Sequence, residues 1–96
     1  MKNYSIIRPL AGTFAATAVP IRLFFANSKR KSASVYNNDT TTVYVLSSNN
    51  QVAADGKPIP ATDERVWKHF DCQGEFWVIG TASAAYDLRI EEVLQE

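Results

Sequence analysis

His69, Asp71 and Cys72 bring the only imidazole of this chain, a carboxylate and its only thiol within one short stretch. A histidine is the side chain expected to titrate near neutrality, and a thiolate beside a base is a nucleophile. Side chains alternate across an extended strand, so His69 and Asp71 share a face while Cys72 points to the other. Nothing electropositive adjoins the thiol to lower its pKa. The stretch therefore reads as a surface histidine beside a small buried thiol. A single cysteine supplies neither an internal disulfide nor a structural zinc site, which takes about four ligands. No glycine-rich phosphate loop or metal-ligand cluster is present. The expectation is a protein that is not an enzyme and carries no cofactor.

Binding offers more. In "SKRKS" (28–32), Lys29, Arg30 and Lys31 place three cations in a row, a group able to grip phosphate or an acidic patch on a partner. Without interleaved aromatic rings the run does not point to nucleic acid. It reads as an exposed loop tip that touches another protein. Trp67, Phe70, Phe76, Trp77 and Tyr86 form an aromatic set in which each buried ring contributes about 150 to 250 Å². Most must fill the core. Phe76 and Trp77 fall on opposite faces of one strand, so one points away from that core and marks a subunit interface or a glycan site. Asp39, Asp55, Asp63 and Asp71 lie in or beside loops, without the ligand spacing of a calcium loop, and cap turns. "NYS" (3–5) and "NDT" (38–40) match the glycosylation acceptor but carry no weight without a secretory route.

These residues need a frame. With 96 residues and 46% hydrophobic side chains the chain suits one domain. A domain this small buries only about 60 to 65% of its unfolded surface, which favours docking or self-association. Ten basic and ten acidic residues cancel, so no global field draws it to nucleic acid or an anionic membrane. Arg8 and Pro9 interrupt the N-terminal apolar run, which reads as structure and not as a signal peptide. No window reaches the roughly 18 apolar residues of a membrane span, and a soluble chain is expected.

Val, Ile, Thr, Tyr, Phe and Trp cluster in short runs at 13–25, 32–37, 41–47, 65–70, 75–80 and 86–93, separated by turn residues. "VYNNDTTTVYVLSS" (35–48) reads as a hairpin turning at Asn37, Asn38 and Asp39. Its second half, with apolar residues on both faces, is a central strand. In "YDLRIEEV", Tyr86, Leu88 and Ile90 face inward while Asp87, Arg89 and Glu91 face water. "LRIEEVLQE" also admits a final helical turn. Pro20 ends or bulges a strand. The segment 49–63, holding Asp55, Lys57 and two prolines, is a long irregular excursion. The predicted fold is an antiparallel, jelly-roll-like β-sandwich of about six to eight strands over residues 13–96. Residues 1–12 form an extended N-terminal arm whose Tyr4, Ile6 and Ile7 could add a strand to a neighbour.

The order "ATAVPIRL", "KSASVYNND", Val-Tyr-Val, "DGKPIP" and "GEFWVIGTASAAYDLRIEEV" resembles the small β-sandwich proteins of tailed bacteriophage particles over residues 13–93. At 60–73 "PATDERVWKHFDCQ" is longer and more charged than the turn of that pattern. The resemblance implies a structural virion protein, assembled in the host cytoplasm, that decorates or cements a capsid. Its partners would be the major capsid protein or other virion proteins, and it would form a homo-oligomer, a trimer being favoured. No catalytic residues come with the family. A neck, tail or fibre component is the nearest alternative, and a carbohydrate-binding module using an exposed tryptophan is the alternative from another class. The expected contact residues are Tyr4, Ile6, Ile7, Lys29, Arg30, Lys31, Asp55 and Lys57.

Overall fold

The β-branched and aromatic runs condense into strands that nest one inside another. A computed structural model describes residues 2–17 and 19–95. Met1, Ala18 and Glu96, and the side chains of His69 and Phe70, lie outside the described set, and so does the expectation placed on the His69 imidazole. The described strands are β1 (Asn3–Thr13), β2 (Ile21–Phe24), β3 (Arg30–Asn37), β4 (Val43–Leu46), β5 (Lys57–Ile59), β6 (Glu64–Lys68), β7 (Phe76–Ile79) and β8 (Ala85–Gln95). Two four-stranded sheets hold them in the orders β1-β8-β3-β6 and β2-β7-β4-β5. First pairs with last, second with seventh, third with sixth and fourth with fifth, all antiparallel. That nesting is an eight-stranded jelly roll, as if one long hairpin had been rolled into two layers.

The expected 35–48 hairpin is corrected by this topology. Asn37 ends β3 in one sheet and Val43 begins β4 in the other, so the Asn-Asn-Asp cluster is a corner between layers. Asn37 is fully buried there. Its Nδ2 donates to Thr41 O (2.8 Å) and Ile59 O (2.9 Å), and its Oδ1 accepts from Asp39 N (3.0 Å). The amide satisfies carbonyls that the change of sheet would otherwise strand in the interior. β4 is nevertheless central, between β7 and β5.

Other expectations shift as well. The arm is not free: β1 pairs with β8 along its whole length, from Asn3↔Gln95 to Thr13↔Ala85. Of the 13–25 run, only Ile21–Phe24 remains a separate strand. The excursion contains a 3-10 turn at Ala53–Asp55 and then β5, where Pro58 is tolerated because β5 is a sheet edge. The run at 65–70 ends as a strand at Lys68 and continues as a 3-10 turn, His69–Cys72. The C-terminal "LRIEEVLQ" is strand with no helical turn, since β8 lies between β1 and β3 and both neighbours supply ladder bonds.

Inward alternation on β8 holds. Tyr86, Leu88 and Ile90 are buried against Phe14, Val35, Val43 and Val78. Phe76 meets Phe24 of its own sheet edge to face (5.6 Å) and links the layers through a second edge-to-face contact, with Trp67 (4.9 Å). β1 and β8, at 11 residues each, span about 36 Å. The four-residue strands β2, β4 and β7 span about 13 Å. The first sheet therefore overhangs the second.

Candidate functional sites: a sheet edge and a tryptophan hollow

The overhang leaves β1 almost wholly exposed. Tyr4, Ile6 and Ile7 are 46%, 41% and 68% exposed. Cross-strand partners share a sheet face, so Tyr4, Ile6, Arg8 and Leu10 lie on the core side with Leu94, Glu92, Ile90 and Leu88. Leu10 packs on the core, and Arg8 Nη2 donates to Leu23 O (2.8 Å) in the opposite sheet. Tyr4 and Ile6 share that face but remain half uncovered.

The bonding parity of β1 follows from the bonds around β8. Asp87 O accepts from Asn38 N (2.8 Å) and Gln95 N donates to Lys29 O (2.9 Å), so odd-numbered residues of β8 turn toward β3. Phe14 N donates to Ala84 O (2.9 Å), which continues the β1–β8 ladder on even numbers. Since the register runs without a shift from Asn3↔Gln95 to Thr13↔Ala85, the even residues of β1 bond β8 and the odd residues face outward. Pro9 obeys this rule, because its missing N–H falls on the outward side. The free edge thus offers the N–H and C=O groups of Asn3, Ser5 and Ile7 before Pro9 interrupts it.

The basic run divides. Lys29 and Lys31 are exposed, but Arg30 is inside the protein and corrects the expectation of a three-cation tip. Its guanidinium donates to Glu92 Oε1 (2.7 and 2.9 Å) and to the carbonyls of Phe25 (2.6 Å), Cys72 (2.8 Å) and Gly74 (3.0 Å), with its carbon 4.9 Å from the centre of the Phe24 ring. Five donors in a planar fork suit this task better than an ammonium would. Glu92 was not among the expected residues. Its place on the inward face of β8, continuing Leu88 and Ile90, was the available signal.

At the edge of the sandwich opposite β1 lies a hollow of about 280 Å³, bordered by Gln51, Asp55, Lys57, Trp67, Asp71 and Glu75 among others. A second hollow shares Lys57, Trp67 and Asp71 with it and adds Glu64, Arg65 and Lys68. The fold brings Asp55 and Lys57 together with Trp67 here, which sequence spacing did not reveal. Trp67 Nε1 has no acceptor among the described residues. Trp77 is differently placed: Nε1 donates to Glu75 Oε1 (3.0 Å), and the Arg22 guanidinium lies 4.6 Å over its ring. Of the two tryptophans, Trp67 is the one with unused recognition capacity.

Cys72 is buried, and its Sγ donates to Arg30 O (3.2 Å). Burial pushes its thiol pKa above the ordinary range, against a smaller opposing pull from Arg30. A neutral thiol facing the interior is a packing group. Among the described residues no group of three or more His, Cys, Asp or Glu side chains is placed to hold a metal ion, and no helix is long and apolar enough to cross a membrane.

No family model matches the chain, and no curated protein matches it. A solved structure described as "Bacillus endospore appendages form a novel family of disulfide-linked pili" aligns with it at a TM-score of 0.48 and 14% identity, over 97% of this chain and 89% of that one. A likeness that slight says nothing of what this chain does.

Proposed function

We propose that this protein is a structural subunit that works by contact between many copies, of the virion decoration or cement kind that its motif order resembles. The observation that carries the reading is the exposed edge of β1. Natural sheets protect long edges with charges, short strands or covering loops, because an open ladder invites another strand. Residues 3–7, "NYSII", carry no charged side chain and expose two isoleucines and a tyrosine. Lys29 and Lys31, at the start of β3, add an electrostatic contact for an acidic patch on a shell protein. Weak contacts repeated over a lattice gain avidity and would brace adjoining shell subunits. The role is tested with phage particles assembled with and without the protein. Particles that lack it should lose their contents at a lower temperature, and unchanged heat resistance would remove the bracing role.

A second reading is favoured by Trp67. Jelly rolls serve in both capsids and lectins, so the choice rests on the site and not on the fold. An indole whose N–H has no acceptor among the described residues, ringed by Gln51, Asp55, Lys57, Asp71 and Glu75, offers the stacking surface and polar groups that a sugar uses. On a glycan array Trp67→Ala would abolish binding and Trp77→Ala would preserve it. A blank array with the native protein would dismiss this reading.

A further inference from the structure

We infer that β1 pairs with β1 of a second copy across a two-fold axis at Ser5, joining two four-stranded sheets into one of eight strands. The inference rests on the contact-driven function proposed above and names its partner.

The outward groups between residues 3 and 7 belong to Asn3, Ser5 and Ile7, and an antiparallel copy centred on Ser5 uses all of them. Asn3 faces Ile7 of the second copy, Ser5 faces its counterpart, and Ile7 faces Asn3. Each pair exchanges two bonds, giving six in all. A two-fold at Ile6 would set Asn3 against Pro9 of the second copy and leave the Asn3 carbonyl without a donor. Registers centred nearer Pro9 likewise leave carbonyls opposite Pro9 without a donor, and they draw Arg8 into the paired segment.

The side chains agree with this register. On the core-side face, Tyr4 stands opposite Ile6 of the second copy and Ile6 opposite its Tyr4. The residues that the second sheet, β2-β7-β4-β5, is too short to cover would cover one another. Aromatic against β-branched is a favourable cross-strand pairing. No charged residue falls within the paired segment. The nearest cations are Lys2 and Arg8, which this register places opposite each other at both ends, with Arg8 already directed to Leu23 O. Like charges there repel until salt screens them, which happens over about 8 to 10 Å at physiological strength. Salt should therefore tighten the dimer.

Sedimentation equilibrium of the full chain over a concentration series tests this. A monomer–dimer equilibrium that strengthens with sodium chloride is expected. Ser5→Pro deletes an outward N–H, as Pro9 already does, without touching the β8 ladder. It should weaken the dimer on the order of tenfold or more. Ala11→Pro makes the same outward deletion outside the paired segment and should leave the dimer intact. A native protein that stays monomeric, forms trimers, or dimerises equally well as Ser5→Pro overturns the inference. If Ser5→Pro fails to fold, amide exchange of the native protein decides. The N–H groups of Ser5 and Ile7 should become protected as concentration rises, while those of Tyr4 and Ile6 are protected throughout; the inference falls if Ser5 and Ile7 exchange freely at every concentration. A monomer in solution together with heat-labile particles lacking the protein would sink the pairing alone and leave the structural role standing.

Discussion

Arg30 and Glu92 meet as an ion pair with 2.7 Å between Nη2 and Oε1, the arginine side chain 1% exposed and the glutamate 15%. β3 and β8 carry them, and the pair closes the end of the sandwich where the first sheet outruns the second. Arg30 also bonds three carbonyls from the loops after β2 and before β7. One side chain thus ties the β3–β8 end of the first sheet to the β2–β7 end of the second.

Removing the carboxylate leaves a guanidinium inside the fold without its counter-charge. Glu92→Ala should lower unfolding free energy by about 3 kcal/mol, in line with other broken buried pairs. Glu92→Gln, which keeps an acceptor oxygen, should lose less. Urea titration of the three proteins gives the ranking, and native-like stability in Glu92→Ala would show that the pair does not hold this end closed.

Asn37 sets the corner between β3 and β4 in the same manner. Asn37→Ala orphans two carbonyls, those of Thr41 and Ile59, and should cost about 2 to 4 kcal/mol. Asn37→Asp should be no better at neutral pH, since a carboxylate has no donor to offer either carbonyl. Thermal unfolding followed by circular dichroism checks both variants.

Two glycines should respond oppositely to the same change. A Cβ at Gly80 would lie 2.5 Å from Phe14 Cε2, inside the core, whereas one at Gly74 meets nothing within 4 Å. Gly80→Ala should cost about 1 to 3 kcal/mol through overpacking. Gly74→Ala should be neutral or stabilising by up to about 1 kcal/mol, because it restricts the unfolded chain. Melting temperatures that move together would contradict this packing.

Asp87 and Cys72 give stability opposite pH limbs. A hydrogen bond from Arg89, then one from Asn38, holds the Asp87 pKa below its ordinary value. The folded state therefore favours the carboxylate, and this contribution is present above the unfolded pKa near about 3.9 and is lost as pH falls through the lower folded value. Asp87→Asn should flatten the acid limb slightly. The Cys72 pKa is raised, so stability falls as pH climbs from the unfolded thiol value, about 8.5, toward the folded one. Cys72→Ser tests that limb, and alkylation of Cys72 should proceed only as fast as the protein opens.

Period-two alternation was enough to identify an all-β chain, the inward residues Tyr86, Leu88 and Ile90, and the central place of β4, because facing direction is a local property of an extended backbone. Cys72 is buried as expected, but from a 3-10 turn to which that alternation does not apply. Pairing was not legible. "VYNNDTTTVYVLSS" has the composition of a hairpin, yet Asn37 turns the chain into the other sheet: β3 is flanked by β6 and β8 and β4 by β5 and β7, pairings made between segments far apart in sequence. Arg30 looked like one cation among three, and its burial depended on Glu92, 62 residues away in sequence. Residues 1–12 read as an extended arm because of Pro9 and Gly12, and β1 is bonded along β8 at the edge of the first sheet. Which strand it would join, and that Asn3, Ser5 and Ile7 would turn their backbone groups outward, follow from the register with β8, a relation between distant residues that only tertiary structure decides.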